Sequence, residues 1–502
     1  MSTAARAQAL PLPRGRSRSA SWWPLVAVTA LAAVLRFSTL DLQSLWYDEA
    51  FTPVHVLHPG LGATLHAVVH TENTPPLWYL LEWAITRVLG TGAVALRLLS
   101  AVAGVAAVPV AWAIGRELSS RRAALATALF VAVNPLFVWY SQEARAYELF
   151  VFFSALAMLY FLRALRERTP AAMAAFALTG SLALLTHYFA VFLLVPMVAW
   201  LLIDRDSRRA AVGATAALSV VGLALLPLIS AQGGHGTQWI GEWALSNRLE
   251  AIPQYYLTDY YGGALGHGIE LLVALPILAG VGFGLWRVLE PREERAALIA
   301  LSIAAGGILL PILLVAFGAD YLAPRNLVAA MVPVTAVIAV IVTARRTGRA
   351  GIALAGVIAI AFLAVSLDVN LSPRLQRGNW HGVARALGEG GPGRVIITVE
   401  LGAAPLEYYL PPLQNLARGR SVTVDEIDEV GYAPLRASAA GSPAPGFRLL
   451  ERLDIDGLII YRFTSAVPRS VPEAALRAHV ITPAHPEVLV RSDATVSRTL
   501  VS

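Results

Sequence analysis

Residues 93–122 read AVALRLLSAVAGVAAVPVAWAIGRELSSRR, an apolar run that ends at Arg116, Arg121 and Arg122. In a helix that rises 1.5 Å per residue, about 20 mainly apolar residues cross the hydrocarbon core of a bilayer. The apolar part of this stretch, residues 93–115, is long enough for that. The pattern predicts a transmembrane helix that ends at a basic loop.

The same pattern recurs along the chain of 502 residues, of which 57% are hydrophobic and only 14% charged. Soluble domains carry about 25% charged residues, so the composition excludes an ordinary soluble enzyme and predicts an integral membrane protein. The mean hydropathy of +0.61 agrees with that class. Further spans are predicted at 22–40, 122–140, 146–163, 171–186, 188–203, 210–231, 267–287, 296–318, 322–343 and 350–367.

The positions of the arginines predict the orientation of these eleven spans. Alternate loops carry groups of arginines, whereas residues 41–75 hold none. Basic loops stay in the cytoplasm, so the tail 1–21 is predicted to be cytoplasmic. A shorter apolar stretch at 76–89 then lies along the outer face, and the chain end lies outside. The basic groups are Arg6/Arg14/Arg16/Arg18, Arg116/Arg121/Arg122, Arg163/Arg166/Arg168, Arg205/Arg208/Arg209, Arg287/Arg292/Arg295 and Arg345/Arg346/Arg349.

Residues 374–502 differ in character from the membrane domain predicted at 22–370. They lack long apolar runs and contain short strand-like segments, such as Val395–Val399, beside helix-like ones, such as Trp380–Leu387. We therefore predict a small extracytoplasmic α/β domain. The sequence contains no Cys, which excludes disulfides and thiolate metal sites throughout the protein.

Two adjacent acids, Asp48 and Glu49, follow the first predicted span within the segment Leu45-Trp46-Tyr47-Asp48-Glu49-Ala50. Near a membrane surface they could provide a general base or hold a metal ion. The alternative is that Asp48 is a solvated charge at the start of an interfacial helix.

Other polar residues fall at the same predicted face of the membrane. An isolated arginine there could bind an anion or extend to the lipid headgroups, and a single histidine at a helix end is often structural. Acids and isolated arginines together suit a lipid-anchored phosphate, because the arginine fork binds phosphate through two bonds. The candidate residues besides the acid pair are Arg97, Glu143, Arg145, His187, Tyr321 and Arg325.

Four short motifs, in this order and on this side of the membrane, resemble the GT-C glycosyltransferases. The nearest resemblance is to glycosyltransferase family 39, the protein O-mannosyltransferases, and to the bacterial aminoarabinose transferases. One departure is Thr74, where relatives often have His or Lys before the proline pair. The motifs are Trp46-Tyr47-Asp48-Glu49, Pro75-Pro76-Leu77-Trp78-Tyr79, Leu96-Arg97-Leu98-Leu99-Ser100-Ala101 and Tyr140-Ser141-Gln142-Glu143-Ala144-Arg145.

The resemblance implies an α-helical polytopic GT-C fold and transfer of a sugar, hexosyl or pentosyl, from a polyprenyl-phosphate donor with inversion. The acceptor would be a lipid, glycan or protein hydroxyl at the extracytoplasmic face of the cell membrane. No nucleotide cofactor is expected, since no phosphate-binding glycine-rich loop is present. No nucleic acid partner is expected either, because the positions of the arginines explain the net charge of +6 mainly by membrane topology.

The resemblance also implies roles for individual residues. Asp48 would be the base, with Glu49 and Glu143 as the other catalytic acids, and Asp48 with Glu143 could hold a divalent cation. The substrate-binding residues would be Arg97, Arg145, His187, Tyr321 and Arg325.

Two other functional classes remain open at this stage. A flippase of polyprenyl-linked glycans would also need outer arginines and aromatic residues, but it would usually show inverted repeats, which are not evident here. A non-catalytic scaffold would tolerate replacement of Asp48 and Glu143.

Overall fold

The computed structural model describes residues 22–257, 279, 281–432, 441–479 and 486–498. The predicted tail 1–21 and most of the predicted span 267–287 lie outside the described residues. Helices form the chain as far as Leu371. They are α1 (Trp23–Phe37), α2 (Tyr47–Phe51), a π-helical turn (Thr52–Val56), α3 (Leu61–Thr71), α4 (Leu77–Leu89), α5 (Ala93–Leu118), α6 (Arg121–Val133), α7 (Pro135–Ser141), α8 (Tyr147–Glu167), α9 (Pro170–Thr186), α10 (Ala190–Ile203), α11 (Arg208–Gln232), α12 (Gln238–Glu242), α13 (Leu245–Leu257), α14 (Pro291–Ala316), a 3-10 segment (Pro324–Ala330), α15 (Met331–Val342), a 3-10 turn (Arg345–Thr347) and α16 (Gly348–Leu371).

The long apolar helices follow the predicted spans. Among the described residues six helices are long and apolar enough to cross a membrane, and a seventh span results if α6 and α7, bent by 55°, are taken together. The shorter apolar helices α1, α9 and α10 coincide with three more predicted spans. The predicted fold class, a polytopic helical membrane protein with a small α/β domain, is confirmed. The count of eleven spans and the position of α4 at the outer face stay predictions.

The bend between α6 and α7 follows from Pro135, which has no N–H to donate to the carbonyl of Val131. Arg36, at the end of α1, compensates for this loss. Its guanidinium donates to the carbonyl oxygens of Val131 at 3.1 Å and Ala132 at 2.9 Å. Ser366 donates to the next carbonyl, that of Val133, at 2.7 Å. The span can therefore break inside the helix bundle without leaving these three carbonyls unpaired.

Neighbouring arginine-rich loops contact one another at the helix ends. Arg166, in the last turn of α8, pairs with Glu117 at the end of α5, and Arg168 pairs with Asp204 and Asp206 after α10. The backbone N–H of Arg345 likewise donates to Glu293 of α14 at 2.8 Å. These contacts agree with a common side for the basic loops, whose cytoplasmic location stays a prediction.

The C-terminal part forms one mixed sheet flanked by short helices. The elements are α17 (Trp380–Leu387), β1 (Arg394–Val399), α18 (Ala403–Tyr409), β2 (Leu413–Asn415), β3 (Arg420–Tyr432), β4 (Arg448–Ile455), β5 (Leu458–Pro472), α19 (Glu473–Ala478), β6 (Pro486–Arg491) and β7 (Val496–Arg498), with 3-10 turns at Pro373–Leu375 and Glu400–Gly402. The strand order is β2-β6-β1-β3-β5-β4, with β7 also paired to β3. β1 runs parallel to β3, and the other neighbours are antiparallel.

This α/β domain rests on the loop that follows α1. The backbone N–H of Leu45 donates to the Tyr409 hydroxyl at 2.8 Å. His55 Nε2 lies 2.8 Å from Glu407 Oε2, and the Tyr408 hydroxyl donates to the carbonyl of Thr91 at 2.8 Å. The domain therefore packs against the same loop that carries the acid pair.

Candidate active site

The acid pair lies in the first turn of α2, which begins directly after the extended residue Trp46. Acids in the first turn of a helix are favoured by the helix dipole. Successive side chains on a helix point about 100° apart. Asp48 and Glu49 consequently face different surroundings.

Glu49 faces the bundle and is fully buried. Its two carboxylate oxygens each accept from Arg97 at 2.7 Å, and the N–H of Ala144 adds a third bond at 2.9 Å. Burial alone would raise the pKa of the Glu49 carboxyl, but Arg97 and Arg377 outweigh that effect and hold the pKa below its usual value.

The sequence predicted that Arg97 binds the donor phosphate, but the structure gives it other partners. Its remaining N–H groups donate to the carbonyl oxygens of Leu40, Gln43 and Ser44 at 2.8–3.0 Å. The guanidinium thus has a partner for each donor, and the side chain is only 1% exposed. Arg97 ties Glu49 and the loop after α1 to α5, so the geometry favours a positioning role.

Asp48 instead faces a partly open region. Its Oδ2 accepts from Arg325 at 2.6 Å, and the two side chains are 18% and 22% exposed. The Arg325 guanidinium also lies 4.9 Å from the centre of the Trp239 ring and 6.0 Å from that of Tyr147. The structure therefore brings together the first acid of the pair and the predicted cation that is most distant from it in sequence.

Arg145 joins this region from the turn between α7 and α8. It donates to Glu72 at 3.1 Å and more weakly to the carbonyl of Asp48 at 3.4 Å. Glu72 also accepts from the Tyr79 hydroxyl at 2.5 Å, which in turn contacts Thr74 at 3.0 Å. Thr74, the departure from the family pattern, is therefore linked to Arg145 through the Tyr79 hydroxyl and the Glu72 carboxylate.

Glu143 lies in a second buried ion pair, with Arg377 from the link that follows α16. The distance from Arg377 to Glu143 Oε2 is 2.9 Å, and Glu49 Oε2 lies 3.8 Å from the same guanidinium. The guanidinium also stacks 4.1 Å from the Trp139 ring centre. Burial raises the pKa of Glu143, although Arg377 opposes the rise.

His187 and Tyr321 lie apart from these ion pairs. The His187 ring stacks on Phe150 at 4.7 Å and contacts Tyr147 at 5.9 Å. Burial lowers the pKa of His187 to about 3, so the ring stays neutral at physiological pH. Tyr321 is largely exposed, and its carbonyl accepts from Asn326 at 3.0 Å. His187 therefore packs against Tyr147, whose ring lies beside Arg325, whereas Tyr321 is exposed.

Sequence reasoning missed Arg377 and Glu72 as members of the charge network. Arg377 falls in the segment assigned to the outer domain, where it looks like an ordinary surface charge. Glu72 lies three residues before the proline pair, and only its contact with Arg145 distinguishes it from other acids. No local sequence signal predicts either pairing, since each joins segments far apart in the chain.

A divalent metal shared by Asp48 and Glu143 does not fit this arrangement. Each carboxylate already faces a guanidinium, Arg325 for Asp48 and Arg377 for Glu143. Within the described ranges, no group of three or more His, Cys, Asp or Glu side chains could hold a metal ion. We therefore derive no step through a metal.

Comparisons with known proteins agree with this architecture. Residues 73–231 match the family model described as dolichyl-phosphate-mannose-protein mannosyltransferase. No curated protein matches the chain closely enough to count as a relative.

Two solved structures, both of ArnT from Cupriavidus metallidurans, have a similar fold. The structure bound to undecaprenyl phosphate has a TM-score of 0.56 at 14% identity and covers 88% of this chain and 98% of that one. The apo structure has a TM-score of 0.53 at 14% identity, covering 87% and 97%. The chain is thus similar to ArnT in fold over most of its length.

Proposed function

We propose that the protein transfers a sugar from a polyprenyl-phosphate-linked donor to a hydroxyl of a lipid, glycan or protein acceptor at the extracytoplasmic face. The observation that carries this proposal is the partly open site where Asp48 meets Arg325 and Arg145. A base beside two cations suits attack by a hydroxyl and departure of a phosphate. The fold of ArnT, which was crystallised with undecaprenyl phosphate, supports the lipid donor.

In this proposal Asp48 accepts the proton of the acceptor hydroxyl, as a positioned carboxylate can. The acceptor oxygen forms a bond to the anomeric carbon from the face opposite the phosphate, while the bond from that carbon to the phosphate oxygen breaks. The electron pair leaves with the polyprenyl phosphate, and the anomeric configuration inverts. Arg325 and Arg145 stabilise the negative charge that develops on the phosphate.

Binding of the donor would also break the ion pair between Asp48 and Arg325. In this ion pair Oδ2 of Asp48 faces Arg325 rather than an acceptor hydroxyl. A donor phosphate is a suitable bidentate partner for Arg325 and can take the place of Asp48. Asp48 then becomes free to accept a proton when the donor is bound.

Glu49 and Glu143 act as positioning residues in this mechanism. Glu49 pairs with Arg97 and so fixes the loop that presents Asp48. Glu143 lies in the same turn as Arg145 and pairs with Arg377. Neither carboxylate has a free face to offer a substrate, since both are almost fully buried. Asp48 is the one expected to contact the acceptor.

The test is lipid and glycan profiling of a deletion strain complemented with wild type or with Asp48→Asn. The variant keeps the shape of Asp48 but removes the base, so the rate of transfer should fall by a factor of about 10²–10⁴. The polyprenyl phosphate that carries the sugar should accumulate. Asp206→Asn is the matched control, because Asp206 is an exposed partner of Arg168 at the opposite end of the bundle. Equal amounts of each variant in the membrane exclude a folding defect.

Two results would contradict the proposal. Near wild-type transfer by Asp48→Asn would remove Asp48 from the mechanism. A deletion strain that makes the glycosylated product but retains it on the wrong side of the membrane would indicate a flippase instead.

A further inference from the structure

Arg325 reaches the site from the end of a loop rather than from the middle of a long helix. α14 ends at Ala316, and residues 317–323 run without helical structure to the 3-10 segment that begins at Pro324. We call residues 317–323 the Arg325 loop. Gly318 in this loop has a φ of 85°, which suits the left-handed residue that ends a helix. The position of the Arg325 backbone therefore depends on the contacts that hold this loop.

An ion pair ties the Arg325 loop to α13. Two N–H groups of the Arg248 guanidinium donate to the two carboxylate oxygens of Asp320, at 2.6 and 2.9 Å. Arg248 also donates to the carbonyl of Leu322 at 3.2 Å, and the N–H of Leu322 donates to Asp320 at 3.3 Å. The hydrogen bonds from Arg248 hold the pKa of Asp320 below its usual value, so its carboxylate is charged at physiological pH. A bidentate pair of this kind fixes the geometry of the loop as well as its distance from α13.

α13 is itself fixed to the interior of the bundle. The carbonyl of Tyr256, near the end of α13, accepts from the Asn134 side chain at 2.8 Å. The Tyr256 hydroxyl lies 2.9 Å from that of Thr335 in α15. Asn134 caps the start of α7, and all three side chains are buried. α13 therefore connects the Arg325 loop to two helices of the bundle.

The Arg325 side chain needs this support most when the donor is bound. Its guanidinium donates to Asp48 at 2.6 Å, but in the proposed mechanism the donor phosphate takes the place of Asp48. The Trp239 ring lies 4.9 Å from the guanidinium and has no oxygen to accept a hydrogen bond. The contacts of Arg248 with the loop remain in both states. They matter because a misplacement of about 1 Å can lower a rate by about 100-fold.

We propose that Arg248 and Asp320 are positioning residues for the donor phosphate. Their ion pair fixes the Arg325 loop, so that the Arg325 guanidinium keeps its place when its partner changes from Asp48 to the phosphate. This role rests on the proposed function, because it requires a donor phosphate at Arg325. Neither Arg248 nor Asp320 contacts the donor itself. A merely structural ion pair would instead affect the stability of the protein and leave donor binding unchanged.

The test is a double-mutant cycle on the binding of undecaprenyl phosphate to the full-length protein in phosphatidylcholine nanodiscs. Native mass spectrometry gives the Kd. Arg325→Ala should weaken binding by about 10- to 100-fold, as expected for loss of a charged hydrogen-bond donor. Arg248→Met keeps a long side chain without its donors and should weaken binding by about 3- to 10-fold, within the usual range of coupling energies. In the Arg325→Ala background, the same change should alter the Kd by less than about twofold, because Arg325 is no longer there to be positioned.

A second variant and a matched control accompany the cycle. Asp320→Asn removes the charge but keeps an oxygen for the N–H of Leu322, and the side chain it replaces is 26% exposed. It should weaken binding in the same way as Arg248→Met. Arg168→Met is the control, because Arg168 also pairs with aspartates but lies on the loop after α8. It should leave the Kd unchanged, and unfolding temperatures show that each variant is folded at the temperature of the measurement.

Three results would overturn the positioning role. They are an unchanged Kd in a folded Arg248→Met or Asp320→Asn protein, an equal loss of binding with and without Arg325, and an unchanged Kd in Arg325→Ala. Failure of the proposed function is detected separately, by full transfer in the strain complemented with Asp48→Asn. Loss of transfer in that strain, together with any of the three results, would retain Asp48 as the base and reject the positioning role.

Discussion

Asp48 and Glu49 are neighbours in the chain and each pairs with an arginine, but the two pairs occupy different surroundings. The pair of Glu49 with Arg97 is sealed inside the bundle, with every guanidinium N–H in use. The pair of Asp48 with Arg325 lies at a partly open face, beside the aromatic rings of Trp239 and Tyr147. The same two residue types therefore form a sealed structural contact in one case and, in our proposal, a reactive site in the other.

The difference shows that the burial of the ion pair and the number of guanidinium N–H groups already in use, rather than the residue types, distinguish the two pairs. A saturated arginine has no donor left for a ligand, whereas Arg325 can exchange one anion for another. Removal of one member of a buried pair leaves an uncompensated charge in the interior, whereas loss of a partner from a pair that solvent reaches costs less. The two pairs should thus respond differently to the same kind of substitution.

The largest effect is expected for Glu49→Gln, which leaves Arg97 buried without its carboxylate. Breaking a buried ion pair destabilises a protein by about 3–5 kcal/mol, so the unfolding temperature and the amount of folded protein should fall sharply. Arg97→Lys should act in the same direction, because lysine cannot reproduce the fork that bonds both oxygens of Glu49. Thermal unfolding in nanodiscs is the measurement, with Asp48→Asn as the matched variant of near wild-type stability. Equal unfolding temperatures for Glu49→Gln and Asp48→Asn would show that the two ion pairs do not differ in their contribution to stability.

An intermediate effect on catalysis alone is expected for Arg325→Ala. Loss of a group that stabilises the leaving phosphate typically lowers the rate by about 10²–10³, and donor affinity should fall as well. Arg325→Lys should retain part of the activity, since a point charge still attracts phosphate. Quantification of product and donor lipid in the complemented strain tests this, with Arg168→Ala at the other end of the bundle as control. Wild-type transfer by Arg325→Ala would leave the open pair without a role in donor binding.

The smallest effect concerns a third buried acid, Glu429 of β3, which sharpens the comparison because its partner is His479 rather than an arginine. The distance from His479 Nδ1 to Glu429 Oε1 is 2.5 Å. Burial raises the pKa of Glu429 to about 7, although His479 opposes the rise. The pKa of Glu49, which is equally buried, moves the other way because its partners are permanent cations.

The sign of the pH effect follows from this shift. Between the usual pKa of 4.5 and about 7, the folded state holds a proton that the unfolded state has released, so stability falls as pH rises. The unfolding temperature of wild type relative to Glu429→Gln should therefore decline from pH 5 to pH 8. A constant difference between the two proteins over that range would show that Glu429 does not titrate in this way.

Much of the fold could be predicted from the sequence, because long apolar runs and loop arginines directly reflect the bilayer. The runs at 93–115 and 350–367 became α5 and α16, and the strand-like run Val395–Val399 became β1. The break at Pro135 was not foreseen, since the carbonyls it frees are satisfied by Arg36 and Ser366 from distant helices.

The candidate site could be predicted only in part. The motifs identify Asp48, Glu143 and Arg145 as unusual polar residues, but they do not say which partner each one meets. Arg97 and Arg325 look alike in sequence, each an isolated arginine at a helix start, and only the packing around them distinguishes a saturated guanidinium from an open one. Long-range pairs such as that of Arg377 with Glu143 have no local signature.

The ion pair between Arg377 and Glu143 also bears on how the protein can be taken apart. Composition places the border between the membrane part and the outer domain near residues 370–374, yet the counter-ion of a buried membrane-side carboxylate lies beyond that border. A chimera that exchanges the α/β domain must therefore retain the link 373–379 with the helical part. The membrane part and the α/β domain share one buried ion pair, so they cannot be exchanged independently of each other.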